Sequence, residues 1–77
     1  MRKEEAELFI DRQMYVLGFT KTTLAKSVGI APEHLSKILS FKVLPNPQTA
    51  KKLADALQMP AQDLRAMFYD VQQQQSA

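Results

Sequence analysis

The chain has 77 residues, no cysteine, a single histidine and a formal net charge of +2. A chain of this length forms one domain around one small core. Without cysteines or clustered histidines it offers no disulfide framework and no His-rich metal site, so we expect no cofactor and a reducing, cytoplasmic environment. No apolar run approaches 18 residues, which predicts no contact with a membrane.

The first half of the chain shows two stretches with helical spacing. The first helix is predicted over about residues 3–17, ended by Gly18. Thr20 is a good N-cap for a second helix that continues to Val28, where Gly29 ends it. The predicted inward-facing residues are Ala6, Ile10, Met14 and Leu17 in the first helix and Leu24, Ala25 and Val28 in the second.

Three proline signals predict the start of three more helices. Pro32 suits the first turn of a third helix over about residues 32–40, Asn46-Pro47 is a cap followed by a first-turn proline, and Pro60 opens the fifth. No strand pattern is present, so the fold class is all-α with five helices. The expected apolar residues of the last two helices are Ala50, Leu53, Ala54 and Leu57, then Leu64, Met67, Phe68 and Val71.

The Gln-rich end of the chain has nothing to bury. We therefore divide the sequence into one domain over residues 1–71 and a disordered tail over residues 72–77.

Positive charge is concentrated in the middle of the sequence. Between Thr20 and Lys52 there are six lysines and one acidic residue, Glu33, whereas both flanks are net negative. A basic centre between acidic ends points to a polyanion such as nucleic acid, although a solvated lysine face gives the same pattern.

The second and third helices have the features of a helix-turn-helix. Ala25 is small enough for close approach, and Gly29 can take the positive φ that a tight turn demands. Leu35 and Ile38 fasten the third helix to the body of the domain, and Ile30 fills the corner. The outer side of the third helix then carries Glu33, Ser36, Lys37 and Ser40, on a helix that fits the major groove of B-DNA.

These residues resemble the phage-repressor, Cro and Xre-like helix-turn-helix regulators. The resemblance runs from Ile10 to Leu64, through "GFTKTTLAKSVGIAPEHLSKIL" and "KKLADALQMPAQDL". It implies a lambda-repressor-like domain that binds double-stranded DNA through the third helix, as a dimer on a two-fold symmetric operator. It also implies a transcriptional regulator that is bacterial or phage-encoded. An enzyme is not expected, because no nucleophile, base and orienting group can be assembled around the lone His34.

The sequence departs from the family pattern at several positions. Met14 and Leu39 stand where family members often carry an Arg–Glu ion pair; because both have changed together, we predict that their side chains touch. Lys21 replaces a frequent glutamine. Pro32 donates no hydrogen bond, and Phe41 stands where a glycine is common, at the start of an apolar loop.

The residues predicted to contact bases lie on or beside the outer side of the third helix. Lys37 suits guanine and Glu33 suits cytosine, but the two side chains are also placed for an i,i+4 ion pair with each other. His34 is either a DNA contact or an ordinary surface histidine. The full predicted set is Pro32, Glu33, His34, Ser36 and Lys37.

The residues predicted to contact the DNA backbone lie at the starts of the second and fourth helices and after the third. Helix N-termini favour anions, although capping alone explains the same residue types. The predicted set is Thr20, Lys21, Thr22, Ser40, Lys42, Asn46 and Gln48.

A dimer is expected because one small module makes few base contacts. The fifth helix is the best candidate surface: either Met67 or Phe68 completes the core, and the remaining apolar residues serve a partner. The predicted interface is Met67, Phe68, Tyr69 and Val71. The alternative function is a protein-interaction module of the same fold, such as an antitoxin or anti-repressor, that uses the loop Phe41–Leu44 or the fifth helix.

Overall fold

Five α-helices follow one another, joined by short turns. The computed structural model describes residues 2–75, with side chains described through residue 73. The helices in that range are α1 (Lys3–Leu17), α2 (Lys21–Val28), α3 (Pro32–Leu39), α4 (Pro47–Ala56) and α5 (Ala61–Gln75), and no strand occurs among the described residues. The predicted all-α fold with five helices is confirmed.

Side-chain caps fix the starts of α2 and α4. The Thr20 hydroxyl accepts a hydrogen bond from the Thr23 backbone N–H at 3.1 Å, and the Thr23 hydroxyl accepts one from the Thr20 N–H at 2.8 Å. In the same way, Asn46 Oδ1 accepts a hydrogen bond from the Thr49 N–H at 2.7 Å. Both predicted N-caps are therefore present, and each satisfies a donor that the helix itself leaves unpaired.

Each of α1–α4 ends in the same left-handed turn. The residue at the turn has a positive φ, and the next N–H donates to the carbonyl five residues earlier, at 2.8–3.0 Å. Two of these residues are Gly18 (φ 78°) and Gly29 (φ 84°), for which the conformation has no steric cost. The other two are Phe41 (φ 61°) and Gln58 (φ 55°), whose side chains make it unfavourable.

The core draws on the inner face of every helix. The buried apolar residues in α2–α4 include Leu24, Ala25, Val28, Leu35, Ile38, Leu39, Ala50, Leu53 and Ala54. Helix α2 packs on α3 and α4, and α5 packs on α4 and α1. The Gln13 amide donates to the Leu57 carbonyl at 2.8 Å, which ties α1 to the end of α4.

The fifth helix buries its whole apolar stripe. Leu64, Met67, Phe68 and Val71 are all buried, and the Phe68 ring lies 4.6 Å from the ring of Phe41. At 100° per residue these four positions fall within one arc of about 100°, the width of a single packed face. The expectation was that either Met67 or Phe68, together with Tyr69 or Val71, would be left for a partner; in this structure Met67, Phe68 and Val71 are all buried. Of the predicted interface residues, Tyr69 alone is exposed.

The tail expected to be disordered over residues 72–77 lies partly on helix α5. Helix α5 continues through Gln72 to Gln75, and Ser76 and Ala77 lie outside the described residues. Glutamine is a good helix former, and buried Val71 anchors the turn from which the last residues extend.

Met14 and Leu39 belong to the same buried cluster. Each is 5% exposed. Because both side chains are apolar, burial leaves no charge without a partner. A direct contact between the two side chains stays a prediction.

The positive φ of Gln58 predicts a stabilising substitution. Gln58 is exposed and its conformation is one that glycine adopts freely, so Gln58→Gly should raise the free energy of unfolding by about 0.5–1 kcal/mol. The matched control is Phe41→Gly, which relieves a similar φ but removes the ring packed on Phe68, and it should destabilise the domain. Urea unfolding followed by circular dichroism measures the free energy of unfolding of both variants. A loss of stability in Gln58→Gly would contradict the assignment of strain to Gln58.

Candidate nucleic-acid interface

The turn between α2 and α3 orients the candidate recognition helix. The N–H groups of Gly29 and Ile30 both donate to the Ala25 carbonyl, at 2.8 and 3.0 Å. A side chain at Gly29 would meet no atom within 4 Å, so the turn requires glycine for its φ and not for space. Ala25 is buried, and Ile30 is partly buried against the core, as the predicted close approach of the two helices requires.

Helix α3 divides cleanly into a packed side and a free side. Leu35, Ile38 and Leu39 are buried, so they fix the rotation of the helix about its own axis. Most of the residues predicted to read bases are exposed: Pro32, Glu33, His34 and Lys37, with Ser36 half-buried. An α-helix with its side chains is about 10–12 Å in diameter, comparable with the width of the major groove.

The start of α3 has no side-chain cap. Its N-cap is Ala31, which makes no side-chain hydrogen bond, whereas α2 and α4 are capped by Thr20 and Asn46. The backbone N–H groups of Glu33 and His34 therefore lack a capping side chain, and the helix dipole adds positive potential there. This end of the helix suits a phosphate or a base acceptor.

The Glu33 and Lys37 side chains do not pair with each other. Both lie exposed on α3, and the described residues contain no ion pair between them. The intrahelical ion pair, the alternative to a DNA role for these two residues, is therefore not formed, and the Lys37 ammonium is available to an external acceptor.

The hydroxyl and amide groups near the helix starts are partly engaged already. Thr20 and Thr23 form the reciprocal hydrogen bonds described above, an arrangement known as a capping box. The sequence reasoning missed Thr23, although a threonine at the third helical position is a signal for this motif. Ser40 Oγ donates to the Ser36 carbonyl at 2.9 Å, so its proton is used within α3. Asn46 accepts with Oδ1, and this hydrogen bond does not use its NH₂ group.

The other predicted backbone contacts remain on the surface without such ties. Lys21 and Thr22 are exposed in the first turn of α2, Lys42 in the loop after α3, and Gln48 in the first turn of α4. Lysine ammonium, hydroxyl and amide groups are common phosphate ligands. These four side chains therefore meet the first requirement for backbone contacts, which is access.

An apolar groove lies between the loop after α3 and the outer side of α5. Its volume is about 1030 Å³, and its lining includes Leu44, Pro45, Pro47, Ala66 and Tyr69. Leu44 is 56% exposed and Tyr69 is 64% exposed. Phe41, in contrast, turns inward onto Phe68, so the apolar loop divides into a residue that covers the core and residues that face outward.

The comparisons with known proteins bear on the same segment. A family model described as helix-turn-helix matches residues 17–64, which include α2, α3, α4 and the first residues of α5. The chain belongs to this family. It is the Cro/C1-type, Xre-like group of helix-turn-helix proteins, which is a DNA-binding regulatory family and not an enzyme family. Its fold agrees with the lambda-repressor-like arrangement predicted above.

Membership of this helix-turn-helix family implies DNA binding and regulation. No curated protein and no solved structure gives a match. Within the described range, none of the helices has the length and apolarity needed to span a bilayer. Across the same residues, no three His, Asp or Glu side chains are grouped so that they could hold a metal ion.

Two threonines at the start of α2 are predicted to differ in their contribution to stability. Thr20→Ala removes the capping box and should lower the free energy of unfolding by about 1 kcal/mol. Thr22→Ala removes an exposed hydroxyl that makes no hydrogen bond within the described residues, and stability should change by less than about 0.5 kcal/mol. Thermal and urea unfolding of the two variants test this difference, and equal losses would contradict the capping assignment.

Proposed function

We propose that this protein is a sequence-specific transcriptional regulator of the Cro/repressor type, which inserts α3 into the major groove as a homodimer on a two-fold symmetric operator. The observation that carries the proposal is the two-sided character of α3. Three buried residues hold it against the core, while the side that carries Pro32, Glu33, His34 and Lys37 is exposed. An exposed helix fixed in this way can enter the groove as a rigid body.

Lys37 is the leading base contact on this surface. It is exposed, unpaired with Glu33 and one turn along the helix from it, so its ammonium reaches beyond the first turn toward guanine O6 and N7. Glu33 is proposed to accept from cytosine N4, and Pro32 to make apolar contact. His34 and the half-buried Ser36 complete the proposed base-reading set.

The backbone contacts are proposed for the starts of α2 and α4 and for the end of α3. Lys21, Thr22, Lys42 and Gln48 are exposed, and Asn46 keeps its NH₂ group. Thr20 is proposed to contribute mainly through the capped N-terminus of α2. Ser40 ranks lowest, because its hydroxyl proton is donated within the helix.

The dimer contact is proposed for the groove between the loop and α5. The burial of Met67, Phe68 and Val71 moves the candidate surface to Leu44, the adjacent prolines and Tyr69. Exposed apolar residues grouped in this way are typical of a protein interface. The same surface would serve the alternative function, a contact with another protein such as a toxin. Selection from a random duplex pool distinguishes a DNA-binding regulator from such an interaction module.

Selection from a random duplex pool tests the regulator proposal. The wild-type protein should enrich one symmetric sequence, with affinity that falls steeply as salt rises. Lys37→Ala should lose preference at one base pair in each half-site, at a cost of about 1–3 kcal/mol per contact.

The matched control for this selection is Lys52→Ala. Lys52 is exposed on α4 and lies outside the proposed contacts, so its loss removes the same charge without changing the preferred sequence. An interaction module would enrich no sequence at all. If Lys37→Ala and Lys52→Ala kept the same sequence preference, the proposal that Lys37 on α3 contacts a base would be overturned.

Leu44→Glu tests the proposed dimer surface. A carboxylate at this 56% exposed position should block apolar packing between copies without disturbing the core. Affinity for the full symmetric duplex should fall at least about tenfold more than affinity for a single half-site, which is lowered only by the added carboxylate close to Lys42 and Asn46. Fluorescence anisotropy on the two duplexes measures this, with Gln58→Glu as a control for added charge elsewhere; unchanged binding to the full site would overturn the assignment.

A further inference from the structure

The outer side of α1 carries a second apolar surface that neither the proposed DNA contacts nor the groove includes. Leu8 is 51%, Phe9 45%, Tyr15 87% and Val16 76% exposed. At 100° per residue all four fall on the half of the helix opposite the buried residues Ala6, Ile10 and Met14. We call these four residues the α1 face. The sequence reasoning missed it because it followed the core stripe alone, although the pairs at positions 8 and 9 and positions 15 and 16 repeat at seven-residue spacing.

Two charges run along the middle of the α1 face. Glu5 and Arg12 are both exposed, and seven residues place them on the same side of the helix, about 10.5 Å apart along its axis. On the helical projection, Leu8 and Tyr15 lie on one side of this line and Phe9 and Val16 on the other. The face therefore has an apolar body with one acidic and one basic group on its centre line, and the exposed carboxylates of Glu4 and Asp11 lie along its edge beside Leu8 and Tyr15.

This arrangement is complementary to itself. When two copies of α1 lie antiparallel about a two-fold axis that passes between Leu8 and Phe9, each Glu5 comes level with the Arg12 of the other copy. Leu8 and Phe9 of both copies then lie at the centre, and two ion pairs form at the same time. A register centred on Arg12 would instead place two guanidinium groups on the axis, where like charges repel.

The area of the α1 face sets the expected strength of this contact. The exposed fractions of its four side chains correspond to roughly 500 Å² per copy, so a pair would bury roughly 1,000 Å². That is the lower limit for a specific interface, and it predicts weak association in free solution. Two molecules held near each other on one duplex have a high effective concentration, and a weak contact then becomes significant.

We propose that the α1 face is a second self-association surface, on which two copies of the chain pair through antiparallel α1 helices, and that this contact links regulators bound at neighbouring operators. The pairing itself follows from the α1 face alone. The consequence for neighbouring operators rests on the function proposed above.

Charge reversal tests the pairing in solution. The measurements use sedimentation equilibrium up to a few hundred micromolar, in the Leu44→Glu background so that the groove does not contribute. Glu5→Arg or Arg12→Glu alone places like charges opposite each other and should weaken association at least about tenfold. An equimolar mixture of the two variants, and the double variant E5R/R12E, should each recover association, because both ion pairs form again.

Each outcome of this experiment decides the pairing. Association that is lost in the single variants and recovered in the mixture supports it. A protein that stays monomeric at every concentration, or association that is insensitive to all of the charge reversals, overturns it. Circular dichroism and thermal unfolding confirm that each variant is folded, and since Glu5 and Arg12 are both exposed, little change is expected.

Binding to DNA tests the link between operators. The probe is the duplex obtained by selection, carrying the symmetric site once or twice on one face of the helix. The wild-type protein should bind the second site about tenfold more tightly than the first, and Glu5→Arg should abolish this ratio without lowering the ratio of specific to non-specific binding on one site. Cooperativity that persists in Glu5→Arg would overturn this role, whereas failure to bind any single site would instead overturn the proposed function and leave the sedimentation result standing.

Discussion

The arrangement of the domain depends on the burial of one side of a very short helix. An isolated helix of eight residues is unstable in water, so α3 exists because Leu35, Ile38 and Leu39 are packed in the core. The same three residues set the rotation of the helix and so determine which side chains face outward. The stability of α3 and its proposed ability to present Glu33 and Lys37 to DNA therefore have one physical origin.

Abrupt helix ends make this packing possible in so short a chain. Four successive helices stop in a left-handed turn, and each turn returns the chain to the core within three or four residues before the next helix starts, apart from the longer loop after α3. Two of the turns use glycine, and two use Phe41 and Gln58 at a conformational cost. For Phe41 the compensation is visible, since its ring packs on Phe68 and closes the core beneath the loop. The Gln58 side chain is exposed and makes no such ring contact, so its turn is held by the Met59 N–H, which donates to the Ala54 carbonyl at 3.0 Å, and by the packing of Met59 on the core.

The sequence predicts the helices better than it predicts their surfaces. Caps, prolines and glycines are local signals, so the bounds of α1 and α2, the starts of α3 and α4 and the caps at Thr20 and Asn46 follow from residue types alone. The surfaces depend on which apolar residues remain after the core is filled. Leu64, Met67, Phe68 and Val71 form one stripe on α5, and the expectation that some of them serve a partner came from the need for a dimer and not from their spacing. The contact between Met14 and Leu39 cannot be read from helical periodicity either, because it depends on how two helices cross.

The domain presents three surfaces that differ in chemical character. The outer side of α3 is polar and carries one acidic and one basic side chain, Glu33 and Lys37, as suits a proposed contact with base edges. The groove at Leu44 and Tyr69 and the α1 face are apolar, and they lie on elements that carry none of the proposed base contacts. A domain with one small core has little interior space for regulation, so control of its proposed DNA binding would act through contacts between whole molecules. Placing those contacts on α1, on α5 and on the loop leaves α3 free, because none of them requires the recognition helix to move.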